Sequence, residues 1–230
     1  MINSIHRFIA VIALLVVTSN ASAQIAPATL GDPTAESYFI NYIAFPETQG
    51  DANVNIFCEA VVKANGKFRF ANCAIRNAWE PDFVAAINKA TKKGVLQPAT
   101  ENGKGVEVIV YFQVEFLKKD EQFEINIVLN SAVTENVEEY GPNHIGAQRA
   151  YQKEYWQKVC PKRAGWTIYA LAHVDDQGVA SSVNLEHGAG IVPTGQCQAA
   201  IIDTVASSRF APTTVDGVAV PSSYIEPFGN

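Results

Sequence analysis

The sequence predicts an α+β protein made of two tandem ββαβ domains, in each of which one helix covers an antiparallel sheet. Three observations support this prediction. Several segments alternate apolar and polar residues with a period of two, which is typical of strands that bury one face. A segment with helical spacing of its apolar residues follows each pair of such strands. The same ordered set of features occurs twice along the chain, which indicates an internal repeat.

Composition and charge limit the classes of function. The chain has 230 residues, of which 48% are hydrophobic and 17% charged, so it has enough apolar side chains for one large or two small domains. Its formal net charge of -6 disfavours nucleic acid and anionic membrane surfaces as partners, and no basic patch offsets it. We therefore expect no nucleic-acid binding.

Residues 1–23 are interpreted as an export signal. Arg7 precedes an unbroken apolar run over residues 8–17, and Ala21-Ser22-Ala23 has the small side chains of a cleavage site. A retained membrane anchor is the alternative, but this run crosses only about half of a ~30 Å hydrocarbon core. We expect a mature chain that starts at Gln24, carries no membrane span and is periplasmic or secreted.

A β-hairpin is predicted around Asn65-Gly66, because both residues tolerate the positive φ of a two-residue turn between β-prone segments. A loop of these two residues places Cys58 opposite Cys73 in a hydrogen-bonded pair. Such a pair has a Cα separation of about 5.5 Å, which a disulfide spans.

The chain has four cysteines, and an even number in an exported protein favours disulfides. Once Cys58 pairs with Cys73, Cys160 pairs with Cys197 by elimination. Buried free thiols are the alternative. A zinc site is not expected, because no Cys-x-x-Cys or histidine pair accompanies these residues.

Matching residues define the repeat. They recur at an offset of 112 residues in the hairpins and of 114 residues after them, so one small insertion separates two copies of the same order. The copies extend over residues 52–116 and 165–228. The matches are Ile56, Ala60, Val62 and Gly66 with Ile168, Ala172, Val174 and Gly178, then Ala85-Ala86-Ile87 with Ala199-Ala200-Ile201, Pro98 with Pro212, Gly103 with Gly217, and Val106 with Val220.

In the first copy, strands are predicted over residues 54–63 and 67–75. Pro81 suits the first turn of a helix that runs to Lys93, with Gly94 at its end. A third strand follows, in which every second residue is apolar and is expected to face the helix. Those residues are Val106, Val108, Val110, Phe112, Val114 and Phe116.

In the second copy, strands are predicted over residues 166–175 and 179–186, a helix over 196–207 and a last strand over 218–225. Cys197 takes the place that Phe83 has in the first copy. A helix over residues 147–159 is predicted between the copies. The resulting domains are the signal 1–23, an N-terminal segment 24–51, a first domain with an extra strand 52–130, a linker 131–164 and a second domain 165–230.

Each copy has a hairpin glycine, an Ala-rich helix, a proline after the helix and a glycine before the last strand. These residues are Val62, Gly66, Ala85-Ala86, Leu96-Gln97-Pro98 and Gly103 in copy one, and Val174, Asp176, Gly178, Ala199-Ala200, Arg209-Phe210-Ala211-Pro212, Asp216-Gly217 and Val220 in copy two. This set resembles the C-terminal domain of the TonB and TolA energy-transducer family. The resemblance implies an interaction module of the periplasm that binds a segment of an envelope protein or peptide by adding a strand to its sheet.

Two departures from that family limit what the resemblance implies. Energy transducers keep an N-terminal transmembrane helix and a long Pro-rich spacer, whereas residues 25–47 are short and not repetitively Pro-rich. Without an anchor there is no route for force from a membrane motor. We therefore expect partner binding without energy transduction.

Strand addition needs an exposed strand edge with unpaired backbone groups. Pro221 and Pro227 interrupt the last strand of copy two and remove donors there. The third strand of copy one, marked by Val106 to Phe116 above, is therefore the hypothetical partner edge. The alternative is that residues 123–129 form a strand that folds back and covers it, in which case deleting them should increase binding.

The sequence predicts no catalytic, cofactor-binding or metal-binding residue, and we do not expect an enzyme. His144, His173 and His187 have no neighbouring nucleophile and no metal-ligand spacing. Turn chemistry explains the acidic pair Asp175-Asp176 before Gln177-Gly178. The alternative function is an envelope enzyme or small-ligand-binding protein whose site lies between the two copies.

Overall fold

A computed structural model describes residues 24–74, 80–152, 156–162 and 165–229. Within these ranges the fold is a mixed α+β arrangement dominated by sheets, with four α-helices, so the predicted class is confirmed at that level. The predicted signal, residues 1–23, lies outside the described residues. No helix in the described ranges combines the length and apolarity needed to cross a membrane.

The first half of the chain, residues 24–130, contains a four-stranded antiparallel sheet in the order β3-β2-β6-β7 and a small sheet in the order β1-β4-β5. A 3-10 helix, Phe39–Tyr42, precedes β2. The elements are β1 (Ile25–Ala26), β2 (Ala52–Val62), β3 (Phe68–Cys73), α1 (Pro81–Ala90), β4 (Ala99–Glu101), β5 (Lys104–Val106), β6 (Val108–Lys119) and β7 (Gln122–Val128).

The rest of the chain contains a three-stranded sheet in the order β10-β9-β14 and two strand pairs, β11-β8 and β12-β13. We call residues 165–229 the second half and residues 131–164 the connecting segment. The elements are α2 (Thr134–Tyr140), β8 (Gln148–Arg149), α3 (Trp156–Val159), β9 (Trp166–Val174), β10 (Ala180–Gly190), α4 (Gly195–Ala206), β11 (Phe210–Ala211), β12 (Thr213–Val215), β13 (Val218–Val220) and β14 (Ser222–Gly229).

The helix α1 forms where the sequence predicts and packs on the sheet of the first half. Pro81 occupies its first turn, where the missing N–H costs nothing. Phe83 and Ile87 lie on one face and belong to the same buried cluster as Ile56 and Phe112 of the sheet. The helix ends at Ala90, earlier than predicted, because the chain tightens into a 3-10 turn there: Lys93 donates its N–H to the Ala90 carbonyl, three residues back, at 3.0 Å.

Corresponding strands of the two halves pair in the same register. Val62 lies opposite Val108 in the pair β2-β6, and Val174 lies opposite Ser222 in the pair β9-β14. These pairs correspond to each other under the offsets of 112 and 114 residues found in the sequence. The small hairpins β4-β5 and β12-β13 correspond in the same way.

The hairpin glycines also have equivalent contacts. Gly66 (φ 80°) accepts a backbone hydrogen bond from Leu96 at 3.0 Å, and Gly178 (φ 78°) accepts one from Phe210 at 3.1 Å. A Cβ atom at either glycine would lie about 2 Å from the carbonyl oxygen of that same neighbour. Each glycine therefore allows the segment that follows the helix to pack closely against the hairpin and to bond to it.

Both predicted disulfides are confirmed, Cys58–Cys73 within the first hairpin and Cys160–Cys197 between the end of α3 and the start of α4. The predicted hydrogen-bonded geometry of the first is wrong. The Cα atoms of Cys58 and Cys73 are 4.0 Å apart, as in a non-hydrogen-bonded pair. Ala74 donates to the Phe57 carbonyl, so that neighbouring pair is the hydrogen-bonded one.

The hairpin loop explains this difference. Lys63 donates its N–H to the Lys67 carbonyl, so these two residues close the loop. The loop therefore has three residues, 64–66, and not two. Arg69 is then an extra residue in β3, because Val61 lies opposite Phe70 while the next residue lies opposite Phe68. The loop and this bulge shift the register in opposite directions. The cysteines therefore face each other as predicted, but with the other backbone geometry.

The connecting segment differs from its prediction. Gln148–Arg149 forms the short strand β8 paired with Phe210–Ala211, so the described part of the predicted helix over residues 147–159 is helical only at Trp156–Val159. An unpredicted helix, α2, lies upstream. The last strand is also divided, since Pro221 separates β13 from β14.

We expect Gly66→Ala to destabilise the protein more than Gly103→Ala. Both glycines have a left-handed φ, which costs alanine about 1 kcal/mol, but no atom lies within 4 Å of a Cβ at Gly103. The clash with the Leu96 carbonyl should add about 1–3 kcal/mol at Gly66. Urea unfolding measures the difference. The same contrast is expected between Gly178 and Gly217, and equal losses would contradict it.

Candidate interaction edge

The strand β6 is paired with β2 along most of its length and with β7 over Gln113 to Lys119. Val108, Val110, Phe112, Val114 and Phe116 are at most 1% exposed, with their side chains in the core under α1. These residues lie opposite β2, whose pairing extends along the strand from Val108 to Lys118. Val106, the sixth predicted residue, lies in β5 opposite Ala99. One side of β6 is therefore occupied by β2, and Val106 lies outside this strand.

The other side of β6 is covered by β7. The two strands pair from Lys119 opposite Gln122 to Gln113 opposite Val128. Asp120 (φ 49°) forms the turn between them together with the next residue, which is also left-handed. The alternative in which residues 123–129 fold back onto the third strand is thus the one that the structure shows. Addition of another strand to β6 over this length would require β7 to leave.

The outer edge of β7 is open. A two-residue turn makes Lys119 and Gln122 a hydrogen-bonded pair, so the backbone groups of every second residue after Gln122 point toward β6. The N–H and C=O groups of Phe123, Ile125 and Ile127 therefore point away from the sheet. No other strand pairs with β7, and no backbone hydrogen bond from the described residues reaches these three.

The other sheet edges are less suitable for strand addition. On β14, Ser223 is bonded by the Asn136 side chain, which donates to its carbonyl at 2.7 Å and accepts from its N–H at 3.0 Å. Pro227 faces the same outer side two positions after Ile225 and has no N–H. The edge of β10 contains two register shifts, one near Ser182 (φ 54°). The six-residue strand β3 contains a bulge.

The helix-side face of β7 is apolar and partly uncovered. Phe123 is 67% exposed although its ring lies 5.5 Å from that of Phe45, which also contacts Phe83 and Phe116. Ile125 is partly buried against the same cluster. A strand placed beside β7 would cover these side chains.

The far end of β7 is held by the connecting segment. Gly146 donates to the Leu129 carbonyl at 2.8 Å. The buried Asn130 side chain accepts from Gln113 Nε2 at 2.8 Å and donates to the carbonyls of Pro142 and His144 at 2.8 and 3.1 Å. The open edge therefore belongs to a strand that is fixed in position.

A buried ion pair joins the connecting segment to the second half. Arg149 donates from Nε and Nη2 to the two carboxylate oxygens of Glu226, at 2.7 and 2.6 Å, and both side chains are at most 4% exposed. The Tyr224 hydroxyl donates to Glu226 at 2.6 Å. This network lies beside Tyr111 of the first half, whose ring centroid is 6.3 Å from that of Tyr224.

The two tyrosines differ in their hydrogen bonding. Burial raises the pKa of Tyr111 and of Tyr224 well above the ordinary value of 10.0, and the negative charge of Glu226 adds to this. Among the described residues, none forms a hydrogen bond with the buried Tyr111 hydroxyl. Both hydroxyls therefore stay neutral, and only one of them contributes a bond.

A cavity of about 460 Å³ lies between the halves. Tyr111 and Phe57 of the first sheet face Tyr169, Ile225 and Pro227 of the second across it. Its other side chains include those of Asn72, Asn130 and Ser131. Within the described ranges, no group of three or more His, Cys, Asp or Glu side chains could hold a metal ion.

No family model, no curated protein and no solved structure matches this chain. The function is therefore inferred from the fold and from the geometry of the sheet edges.

We expect Tyr111→Phe to leave the free energy of unfolding unchanged or to raise it by about 1 kcal/mol, because it removes a buried hydroxyl that has no partner. Tyr224→Phe removes a hydrogen bond to a charged carboxylate and should lower it by about 1.5–3 kcal/mol. Urea unfolding of both variants at neutral pH measures this. The reverse order of the two variants would show that the Tyr111 hydroxyl has a partner in solution.

Proposed function

We propose that this chain is an exported interaction module that binds an extended segment of an envelope protein or peptide by strand addition at the outer edge of β7. The open backbone groups of Phe123, Ile125 and Ile127 carry this proposal. An added antiparallel strand would bond to all three residues, and its apolar side chains would contact the exposed Phe123.

The proposed location is the periplasm or the medium. Two disulfides are typical of proteins outside the cytoplasm, where thiols are oxidised. They stabilise the hairpin of the first half and attach α3 to α4, so the scaffold that presents β7 persists in an oxidising compartment.

We also propose that the two halves are copies of one ββαβ unit similar to the TonB C-terminal domain. The equal register of β2-β6 and β9-β14, and the equivalent contacts of Gly66 and Gly178, support this. Only the first copy carries an additional strand, β7. In this proposal the first copy binds the partner, and the second copy, whose outer strand is bonded by Asn136, has a supporting role.

Ile125→Pro tests the proposal. The Ile125 N–H faces away from β6, so proline removes a donor for a partner strand without breaking a hydrogen bond inside the sheet. With a photo-crosslinking residue at position 123, the wild-type chain should capture an envelope protein, and Ile125→Pro should reduce this capture at least about tenfold. Mass spectrometry of the crosslinked peptides identifies the bound segment.

A crosslinking residue at position 70 provides the control. Phe70 is 45% exposed and lies on β3, at the opposite edge of the same sheet. Capture of the same protein through position 70, or capture through position 123 that Ile125→Pro does not change, would contradict strand addition at β7.

The cavity between the halves supports a second candidate function, binding of a small and mainly apolar molecule. Tyr169 and Ile225 border it, and its volume of about 460 Å³ suits a small ligand. A compound bound there should raise the melting temperature of the wild-type protein and lose that effect in Ile225→Trp, which fills part of the space. A thermal-shift screen measures this, and equal shifts in both proteins would place the compound elsewhere.

A further inference from the structure

The edge of β7 lacks several of the features that keep sheet edges from associating. Its seven residues include no proline and no lysine, and its pairing with β6 has no register shift. An exposed edge of this kind pairs readily with another strand. We infer that in the absence of a partner this edge is covered by the β7 strand of a second copy of the chain, in an antiparallel pair centred on Ile125.

The register follows from which backbone groups are free. Only residues whose N–H and C=O point outward can bond to each other, so Ile125 pairs with its own symmetry mate and Phe123 pairs with Ile127 of the second copy. This pairing uses all seven residues of β7. A pair centred on Glu124 would bring two carboxylates directly opposite each other, which is unfavourable.

The side chains on both faces fit this register. On the helix side, Ile125 meets its symmetry mate, and the exposed ring of Phe123 meets Ile127, which is 8% exposed. On the other side, Glu124 lies opposite Asn126, whose amide can donate to the carboxylate. Asn126 also donates to Glu115 of its own chain at 3.4 Å. The pairing therefore places apolar side chains opposite each other on one face and a carboxylate opposite an amide on the other.

The dimer would join two four-stranded sheets into one sheet of eight strands. It goes beyond the proposed partner binding and does not depend on it, because it concerns the chain alone. If both occur, the partner segment and the second copy compete for the same backbone groups.

Sedimentation equilibrium of the secreted, oxidised chain tests the inference. The wild-type protein should be dimeric at about 100 µM. Ile125→Lys and Ile125→Glu should each be monomeric, with dissociation constants raised by roughly 100-fold or more, because each places like charges opposite each other in the interface. An equimolar mixture of the two variants should be dimeric again, since Lys then faces Glu.

Two further variants complete the test. Phe70→Lys changes an exposed ring on the opposite edge and should leave the dimer intact. Phe123→Asp changes a side chain that is 67% exposed, so the fold should persist while the dimer weakens at least about tenfold. Circular dichroism verifies the fold of each variant.

Three results would overturn the inference. They are a wild-type chain that is monomeric at this concentration, a dimer that persists in Phe123→Asp, and folded Ile125→Lys and Ile125→Glu proteins whose mixture stays monomeric. Loss of the dimer in Phe70→Lys would assign it to β3. None of these results depends on whether an envelope partner is captured.

Discussion

The need to satisfy the backbone hydrogen-bonding groups on the outer sides of β6 and β14 determines much of this structure. In the first half, β7 and the connecting segment cover the side of β6 that β2 leaves open, since Val108 also pairs with Ala150. In the second half no additional strand exists. The Asn136 side chain bonds to Ser223 in its place, and Pro227 removes one donor. The same requirement is thus met by a strand in one half and by side chains in the other.

The connecting segment is ordered by the same need to satisfy backbone hydrogen bonds and by one buried ion pair. The backbone of Arg149 pairs with Phe210 in the segment that follows α4, and its guanidinium group bonds to Glu226 of β14. Separation of a buried pair such as Arg149–Glu226 costs about 3–5 kcal/mol, because the remaining charge loses its partner. This network and the Asn130 hydrogen bonds fix residues 130–150 between the halves, so β7 is held at its far end by structure that the second half supports.

Sequence patterns predicted the parts of the fold that local chemistry determines. Pro81, the hairpin glycines and the alternation along β6 define their elements. Sequence patterns failed where contacts between residues distant in the chain determine the structure. The period of two in residues 106–116 indicated a buried face but not which strand lies at each edge, and the bulge at Arg69 left no mark in the pattern. Nothing near Arg149 or Glu226 in the sequence indicates that they meet.

The contrast between the two halves is the strongest argument for the proposed role of the β7 edge. Natural sheets limit exposed edges because unpaired strands associate, and this chain does so at β14 with Asn136 and Pro227 and at β10 with bulges. At β7 it adds a strand with Phe123 and Ile125 on one face and leaves the outer side unmodified. An edge kept open in a protein that protects the edges of β14 and β10 supports the proposal that a strand binds there.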